Sequence, residues 1–343
     1  MRRREFVATT ILGAASFAAF GERLALAAAE EGVAQLATVA PDGTPWADQL
    51  IAFKTRLDKE TGGKMRLKAY LGGALGDENT TASECKRGAI QMWGGSTGAL
   101  ATIVPELALL ELPYLFRTVE EADHVLDTIL FEDMKKLLLA RGLVLLFWAE
   151  NGYRSFGTKF GGVTKPTDLK GKKMRSQESE VHLEMYKAFG ASPVPIAVTE
   201  VLSSLQTGVV DGFDNTPLFT FAASWHQGIK HYSLTESIYQ PGIVVANKKW
   251  FDALPAEVKK SVVGDAQAEA VNGRKGVREL APLLVENFKN AGITVHVPTE
   301  AEKAVFAKVS EPVHTKWTAS KGKTAAPMVA KAKAALAAYR KKA

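Results

Sequence analysis

Short apolar runs alternate with longer stretches of helical periodicity along most of this 343-residue chain. Residues 143–148 are apolar without interruption, which is typical of a strand covered on both faces of a sheet. The predicted strands are 65–70, 89–93, 143–148, 173–176, 194–196, 212–215, 243–247 and 294–297. The predicted helices are 120–141, 178–189, 198–207, 255–290 and 300–316. Strands that alternate with helices indicate an α/β fold with mainly parallel sheets.

The length of the chain favours two lobes of about 150 residues each over a single core. The predicted helix 255–290 would be about 50 Å long, which exceeds one lobe, so we expect a long helix that spans both. Because the sequence shows no internal repeat and no low-complexity linker, extended strands should join the lobes. We predict residues 30–150 and 240–279 for lobe I and residues 151–239 and 280–343 for lobe II.

The N-terminus has its features in the order that a signal peptide requires. Arginines at 2–4 precede an apolar run at 7–20, and small residues follow at 24–29. The run is too short for a membrane span, which needs about 20 strongly apolar residues. The pair Arg3 and Arg4, with Phe6 two residues after Arg4, resembles a twin-arginine export signal. We therefore expect residues 1–29 to be cleaved after export by this route, leaving a soluble periplasmic protein.

The charge of the chain is mild, with a formal net value of +6 at pH 7. Lysines and arginines are spread along the sequence rather than gathered on a stripe with aromatic residues, so no nucleic-acid partner is predicted. The exception is a lysine-rich C-terminal stretch, which we interpret as the solvated face of a terminal helix. We expect a monomer.

Local motifs for enzyme chemistry are missing from the sequence. It contains no G-x-S-x-G elbow, no His-Glu-x-x-His helix and no Walker loop. The six histidines form no ligand pair at helical spacing, and Cys85, the single cysteine, can form neither an intramolecular disulfide nor a zinc site by itself. We expect Cys85 to be a passive, half-buried thiol. The sequence predicts no metal, no cofactor and no enzyme.

Four segments carry the strongest functional pattern. They are Gly-Tyr-Arg-Ser-Phe at 152–156, Asp-Leu-Lys-Gly-Lys-Lys-Met-Arg-Ser at 168–176, the stretch 190–208, and Val-Val-Asp-Gly-Phe-Asp-Asn at 209–215. Together they resemble the solute receptors of tripartite ATP-independent periplasmic (TRAP) transporters, the dicarboxylate-receptor-like family. The resemblance covers nearly the whole mature chain in order. It implies a two-lobe periplasmic-binding-protein clamshell, each lobe a mainly parallel sheet flanked by helices.

The resemblance also implies the ligand-binding residues. Arg175 fits the selectivity arginine of the family, which binds the substrate carboxylate, and Arg154 fits a second, more variable arginine. Asn215 fits a ligand-contacting asparagine, and Asp214 beside it stands where Glu is commoner. From the other lobe we predict contacts by Gly73, Trp93, Gly94, Ser96 and Thr97. An arginine fork matches a carboxylate with two parallel hydrogen bonds, so these residue types suit an organic acid.

Each assignment has an alternative. Arg175 could be a surface arginine at the end of a strand, Arg154 could pair with an acidic side chain, Asn215 could hold a turn, and Trp93 could pack in the core. The predicted function is a receptor that delivers a small organic acid to a TRAP membrane permease. A receptor for a sensor kinase, or a periplasmic enzyme on the same fold, remains open. The sequence does not distinguish mono- from dicarboxylates, sugar acids, keto acids, amino acids or aromatic acids.

Overall fold

The computed structural model describes residues 33–342. The predicted signal peptide therefore lies outside the described residues. The strands are β1 (Val33–Thr38), β2 (Arg66–Tyr70), β3 (Met92–Ser96), β4 (Leu143–Thr158), β5 (Lys173–Ser176), β6 (Ser192–Pro195), β7 (Gly212–Asn215), β8 (His231–Asn247) and β9 (Thr294–His296). The α-helices are α1 (Pro45–Thr61), α2 (Glu78–Arg87), α3 (Thr97–Leu100), α4 (Val119–Asp123), α5 (Phe131–Ala140), α6 (Glu180–Ala188), α7 (Val201–Gln206), α8 (Pro217–Ala222), α9 (Lys248–Ala253), α10 (Ala256–Val263), α11 (Ala266–Asn290) and α12 (Glu300–Tyr339). Short 3₁₀ segments connect several of them, among them Pro105–Glu111 and Val198–Glu200.

One mixed sheet runs through the described part of the chain, with the order β2-β1-β3-β8-β4-β7-β5-β6, and β9 pairs with β8. The pairings at its two ends, β1 with β2 and β3, and β5 with β6 and β7, are parallel, as predicted. The pairings across its middle, β3 with β8 and β4 with β8 and β7, are antiparallel. The α/β fold with helices flanking the sheet is confirmed.

The two central strands are far longer than their apolar runs predicted. β4 extends ten residues beyond 148, and β8 begins twelve residues before 243. Their pairing contains three register shifts, between Leu145 and Phe147, Glu150 and Gly152, and Arg154 and Phe156. Bulges of this kind bend a strand and redirect its side chains. Extended strands thus connect the two ends of the sheet, while the lobe boundaries themselves stay a prediction.

The predicted helix 255–290 is in fact two helices. It ends at Val263 and starts again at Ala266, because Gly264 has a φ of 51° and a ψ of −143° that leave the helical region. A long helix is nevertheless present. α11 has 25 residues, or about 37 Å. In its first half Gly273 packs against Gln49 of α1, and near its end Phe288 stacks on Tyr232 of β8 at 4.2 Å.

Two other helical segments differ from the prediction. The segment 120–141 is divided into α4, a π-helical turn at His124–Ile129, and α5. The C-terminal helix continues well past 316 to Tyr339. Several of its lysines form ion pairs with acidic residues of α5 and α6: Lys316 with Glu184, Lys321 with Glu180, and Lys331 with Asp133.

Candidate functional site

Arg154 lies in the second half of β4, where it is buried and fully engaged by protein groups. Its Nε donates to Asp214 Oδ2 at 2.5 Å, and Nη2 donates to the Asp214 carbonyl oxygen. Its Nη1 donates to Gln240 Oε1 at 2.8 Å and to Asn215 Oδ1 at 3.3 Å. The strand pairing of β4 with β7 brings these partners together, since Ser155 faces Asn215 in the register. Arg154 therefore pairs with an acidic side chain, the alternative left open by the sequence.

Asp214 is the centre of this buried cluster. Tyr186 Oη donates to its Oδ1 at 2.7 Å, and His182 Nδ1 lies 3.7 Å from Oδ2, within ion-pair range but beyond a hydrogen bond. Burial alone would raise the pKa of Asp214, but the charges of Arg154 and His182 lower this pKa well below its ordinary value. Asp214 is thus ionised and neutralises Arg154.

Arg175, the third residue of β5, has a different environment. It is 2% exposed, and the one hydrogen bond found for it among residues 33–342 runs from Nε to the carbonyl oxygen of Ile196 at 2.9 Å. Its guanidinium carbon lies 5.2 Å from the centre of the Trp225 ring. Burial, and then the positive charge of Arg154, lower the pKa of Arg175 to about 10. The group stays cationic at neutral pH, and its two terminal nitrogens have no protein acceptor in the described chain.

Asn215 ends β7 beside this pair of arginines. Its Oδ1 accepts from the backbone N–H of Thr216 at 2.8 Å as well as from Arg154. Its carbonyl oxygen accepts from Tyr232 Oη at 2.6 Å. The two hydrogen bonds to Oδ1 fix the orientation of the side-chain amide, and its nitrogen donates no hydrogen bond within residues 33–342.

A narrow cavity lies against these side chains, with a volume of about 30 Å³, or about 420 Å³ when the space that is open to solvent is counted. Strands and helices from both ends of the sheet form its wall. Its lining residues are Thr38, Val39, Ala40, Trp46, Glu78, Gly95, Ser96, Asn151, Arg154, Arg175, Gln177, Val198, Asn215, Phe219 and Gln240. Nine of these residues are polar or charged, and polar groups that converge on a cavity are typical of a small-molecule site.

Four of the predicted site residues line this cavity: Arg154, Arg175, Asn215 and Ser96. Ser96 is positioned as the N-cap of α3, where its Oγ accepts from the backbone N–H of Ala99.

The other five predicted site residues do not line the cavity. Trp93 packs in the core, and its Nε1 donates to Thr81 Oγ1 at 3.1 Å. Thr97 donates to Glu111 Oε1 at 2.6 Å, and Asp214 lies behind Arg154. Gly94 abuts the Trp46 ring, where an added Cβ would lie 3.2 Å from the ring, and at Gly73 such a Cβ would lie 3.3 Å from Thr199.

Sequence reasoning missed seven polar or aromatic lining residues: Thr38, Trp46, Glu78, Asn151, Gln177, Phe219 and Gln240. Glu78 lies two residues after the glycine-rich stretch 72–76, and Gln177 directly follows β5, which contains Arg175. Their closeness in the sequence to predicted site residues was the available signal. Nothing local marks Trp46 or Gln240. They reach the site because Trp46 Nε1 donates to Asn151 Oδ1 at 2.6 Å and Gln240 Nε2 donates to Gln177 Oε1 at 2.8 Å.

Within residues 33–342 no group of three or more His, Cys, Asp or Glu side chains is arranged to hold a metal ion. None of the helices in this part of the chain combines the length and the apolar character that crossing a membrane requires.

A profile described as bacterial extracellular solute-binding protein, family 7, matches residues 36–321. The chain belongs to this family. The solute-binding family 7 assignment agrees with the fold, since a TRAP periplasmic solute-binding protein of Roseobacter denitrificans, solved with bound β-D-glucuronate, superposes with a TM-score of 0.84. That pair is 26% identical, over 88% of this chain and 99% of the other.

Curated relatives place the chain in the same group. The 2,3-diketo-L-gulonate-binding periplasmic protein of Escherichia coli is 32% identical over 74% of this chain and 77% of its own length. The C4-dicarboxylate-binding periplasmic protein of Rhodobacter capsulatus is 31% identical over 80% of this chain and 83% of its own. The resemblance to TRAP solute receptors is confirmed, and these relatives are solute-binding proteins rather than enzymes.

Proposed function

We propose that this family 7 protein is the periplasmic receptor of a TRAP transporter and binds a small organic acid through a salt bridge between Arg175 and the ligand carboxylate. The receptor role follows from the family. The observation that carries the salt bridge is the environment of Arg175, a buried cation on the cavity wall with unused donors. No carboxylate lies within salt-bridge distance of it in residues 33–342, whereas Arg154 is paired with Asp214.

A buried cation without a partner is costly, because water no longer solvates it. A ligand carboxylate removes this cost and accepts two parallel hydrogen bonds from the guanidinium fork. Asn215 adds an amide donor beside it. Arg154 then acts mainly by holding Asn215 and Gln240 in place through its three side-chain partners.

The cavity also suits a receptor that opens and closes. Its wall combines Ser96 and Glu78, from the segments predicted as lobe I, with Arg175 and Asn215, from those predicted as lobe II. A ligand that contacts both groups only when they are close shifts the equilibrium towards the closed form. The closed receptor then docks on the membrane permease, after export of the precursor by the twin-arginine route.

The experiment is a thermal-shift screen of the mature protein against sugar acids, keto acids, dicarboxylates and amino acids, with Arg175→Met alongside. Ligand at 100 times its Kd should add about 2.7 kcal/mol to the free energy of unfolding. The variant should lose about 10²- to 10⁴-fold in affinity. Acid binding that survives in Arg175→Met would contradict the salt bridge. Recovery of the bound acid unchanged distinguishes a receptor from an enzyme.

A further inference from the structure

The cavity that Arg175 lines also contains a buried carboxyl group. Glu78 is the first residue of α2, directly after its N-cap Asp77. Its Oε1 accepts from the backbone N–H of Ser96 at 2.7 Å, and the Ser96 side chain also interacts with this carboxyl. Gly95 makes this approach possible, since a Cβ there would lie 2.7 Å from Oε1. The second oxygen, Oε2, has no protein donor in that part of the chain.

The charges on the cavity wall allow one ligand carboxylate. Three lining residues are ionisable: Glu78, Arg154 and Arg175. Asp214 neutralises Arg154, which leaves Arg175 as the only cation of the wall that a ligand carboxylate can neutralise. A second carboxylate on the same ligand would find no cation on this wall and would lie in a buried space shared with Glu78. Like charges brought together in such a space repel strongly.

The remaining polar groups of the wall are neutral. They are the hydroxyl groups of Thr38 and Ser96 and the side-chain amides of Asn151, Gln177, Asn215 and Gln240. Hydroxyl and amide groups recognise ligand hydroxyl groups, which both donate and accept hydrogen bonds. Burial raises the pKa of Glu78, the hydrogen bonds from Ser96 lower it, and the nearby charges of Asp77 and Glu111 raise it again, with a net increase.

We infer that Glu78, given the proposed carboxylate site at Arg175, makes the receptor selective for polyhydroxylated monocarboxylates of the aldonic and uronic acid class and excludes dicarboxylates. Arg175 binds the single ligand carboxylate. Glu78 accepts a hydrogen bond from a ligand hydroxyl, and the amide and hydroxyl groups of the wall bind the others. The same carboxyl repels a second acidic group.

Matched acids test this inference by titration calorimetry on the mature protein. D-Gluconate and D-glucarate differ only at C6, where a hydroxymethyl group is replaced by a carboxylate, and galactonate with galactarate forms a second pair. The better monoacid should bind at least about 100-fold more tightly than its diacid, as expected for a like-charge contact in a buried site. D-Glucuronate should bind as a monoacid, and succinate should not compete with it.

Variants of Glu78 test whether this side chain causes the preference for monoacids over diacids. Glu78→Gln keeps the size of the side chain and the acceptor for Ser96, and it should reduce the monoacid-to-diacid ratio by about 10-fold or more by removing the like-charge contact. Glu78→Asp keeps the charge and should keep the preference. The exposed Glu257, changed to Gln, is the control and should change nothing.

The outcomes separate the two proposals. A diacid that binds more tightly than its monoacid, in an Arg175-dependent manner, overturns the role of Glu78 and leaves the receptor function standing. A monoacid-to-diacid affinity ratio that is unchanged in Glu78→Gln also overturns the role of Glu78. Acid binding that does not depend on Arg175, or no binding by any acid, contradicts the carboxylate site itself and with it the inference.

Discussion

His182 Nε2 lies 2.6 Å from Glu111 Oε2, and both side chains are fully buried. Glu111 belongs to the segment predicted as lobe I and His182 to the segment predicted as lobe II, so the pair joins the two. Glu111 also accepts from Gln240 Nε2 at 3.0 Å, and Gln240 lines the ligand cavity. The buried ion cluster and the cavity are therefore parts of one hydrogen-bonded network.

The stability of the protein should depend on pH through this cluster. Burial opposes the charge on His182, but the facing carboxylates of Asp214 and Glu111 outweigh it and raise the pKa of His182 above the value of 6.5, while Arg154 opposes them weakly. A raised folded-state pKa contributes stability that is complete below about pH 6.5 and is lost as the pH rises through the folded value. When the free energy of unfolding is measured by denaturant over a range of pH, His182→Gln should lack this loss of stability with rising pH. An identical profile in the variant would rule the cluster out as the cause.

On the acid side the carboxylates act in the opposite sense. The pKa values of Glu111 and Asp214 are lowered by their cationic partners despite burial. Their contribution is complete above the unfolded-state values of 4.5 and 3.8 and is lost as the pH falls through the lower folded-state values. In Asp214→Asn the free energy of unfolding should therefore decrease less steeply as the pH falls.

The two arginines should respond differently to replacement by methionine. Arg154→Met leaves Asp214 with a buried charge that has lost its main partner, so the free energy of unfolding should fall by about 3–5 kcal/mol. Arg175→Met removes a buried cation without a protein partner, so the ligand-free protein should melt at the same temperature or higher. Calorimetric melting of both variants without ligand checks this. Adding Asp214→Asn to Arg154→Met should recover part of the loss; equal destabilisation by both single variants would contradict the assignment.

Replacement of Trp46 should affect ligand binding, whereas replacement of Trp93 should affect stability. Trp46→Phe loses the hydrogen bond to Asn151 on the cavity wall and should weaken acid binding by about 5- to 10-fold. Trp93→Phe leaves a cavity in the core and should lower the free energy of unfolding by about 1–3 kcal/mol while affinity stays unchanged. Titration and unfolding of each variant measure both quantities. If Trp93→Phe weakened acid binding and Trp46→Phe lowered stability alone, Trp93 would be a ligand contact after all.

Cys85 should be inert in the native protein. The thiol is fully buried rather than half-buried, and burial raises its pKa to about 12. Since the thiolate is the reactive form, a thiol reagent at about pH 8 should label Cys85 only after unfolding. Labelling at the rate of a free thiol without denaturant would show that the residue is accessible.

Local patterns predicted much of the fold correctly. The limits of β5 and β7 agree with the predicted strands 173–176 and 212–215. The long helix was assigned too broadly, since Gly264 can be tolerated within a helix or end it, and only its φ and ψ show which. The lengths of β4 and β8 were underestimated because the more polar second half of β4 and the more polar first half of β8 are covered by other parts of the chain.

The sequence by itself determined the family and the α/β class and marked Arg175 as the candidate carboxylate-binding residue, because those signals lie within short segments whose residue types and spacing are readable in order. The tertiary structure decided which charges remain for a ligand. Arg154 and Arg175 are chemically identical and lie on strands that both pair with β7, yet Asp214 forms an ion pair with the first and not with the second. The same folding brings Glu78 and Gln240 to the cavity, 162 positions apart in the chain. Contacts between distant segments neutralise charges or leave them unpaired, and no local pattern encodes that outcome.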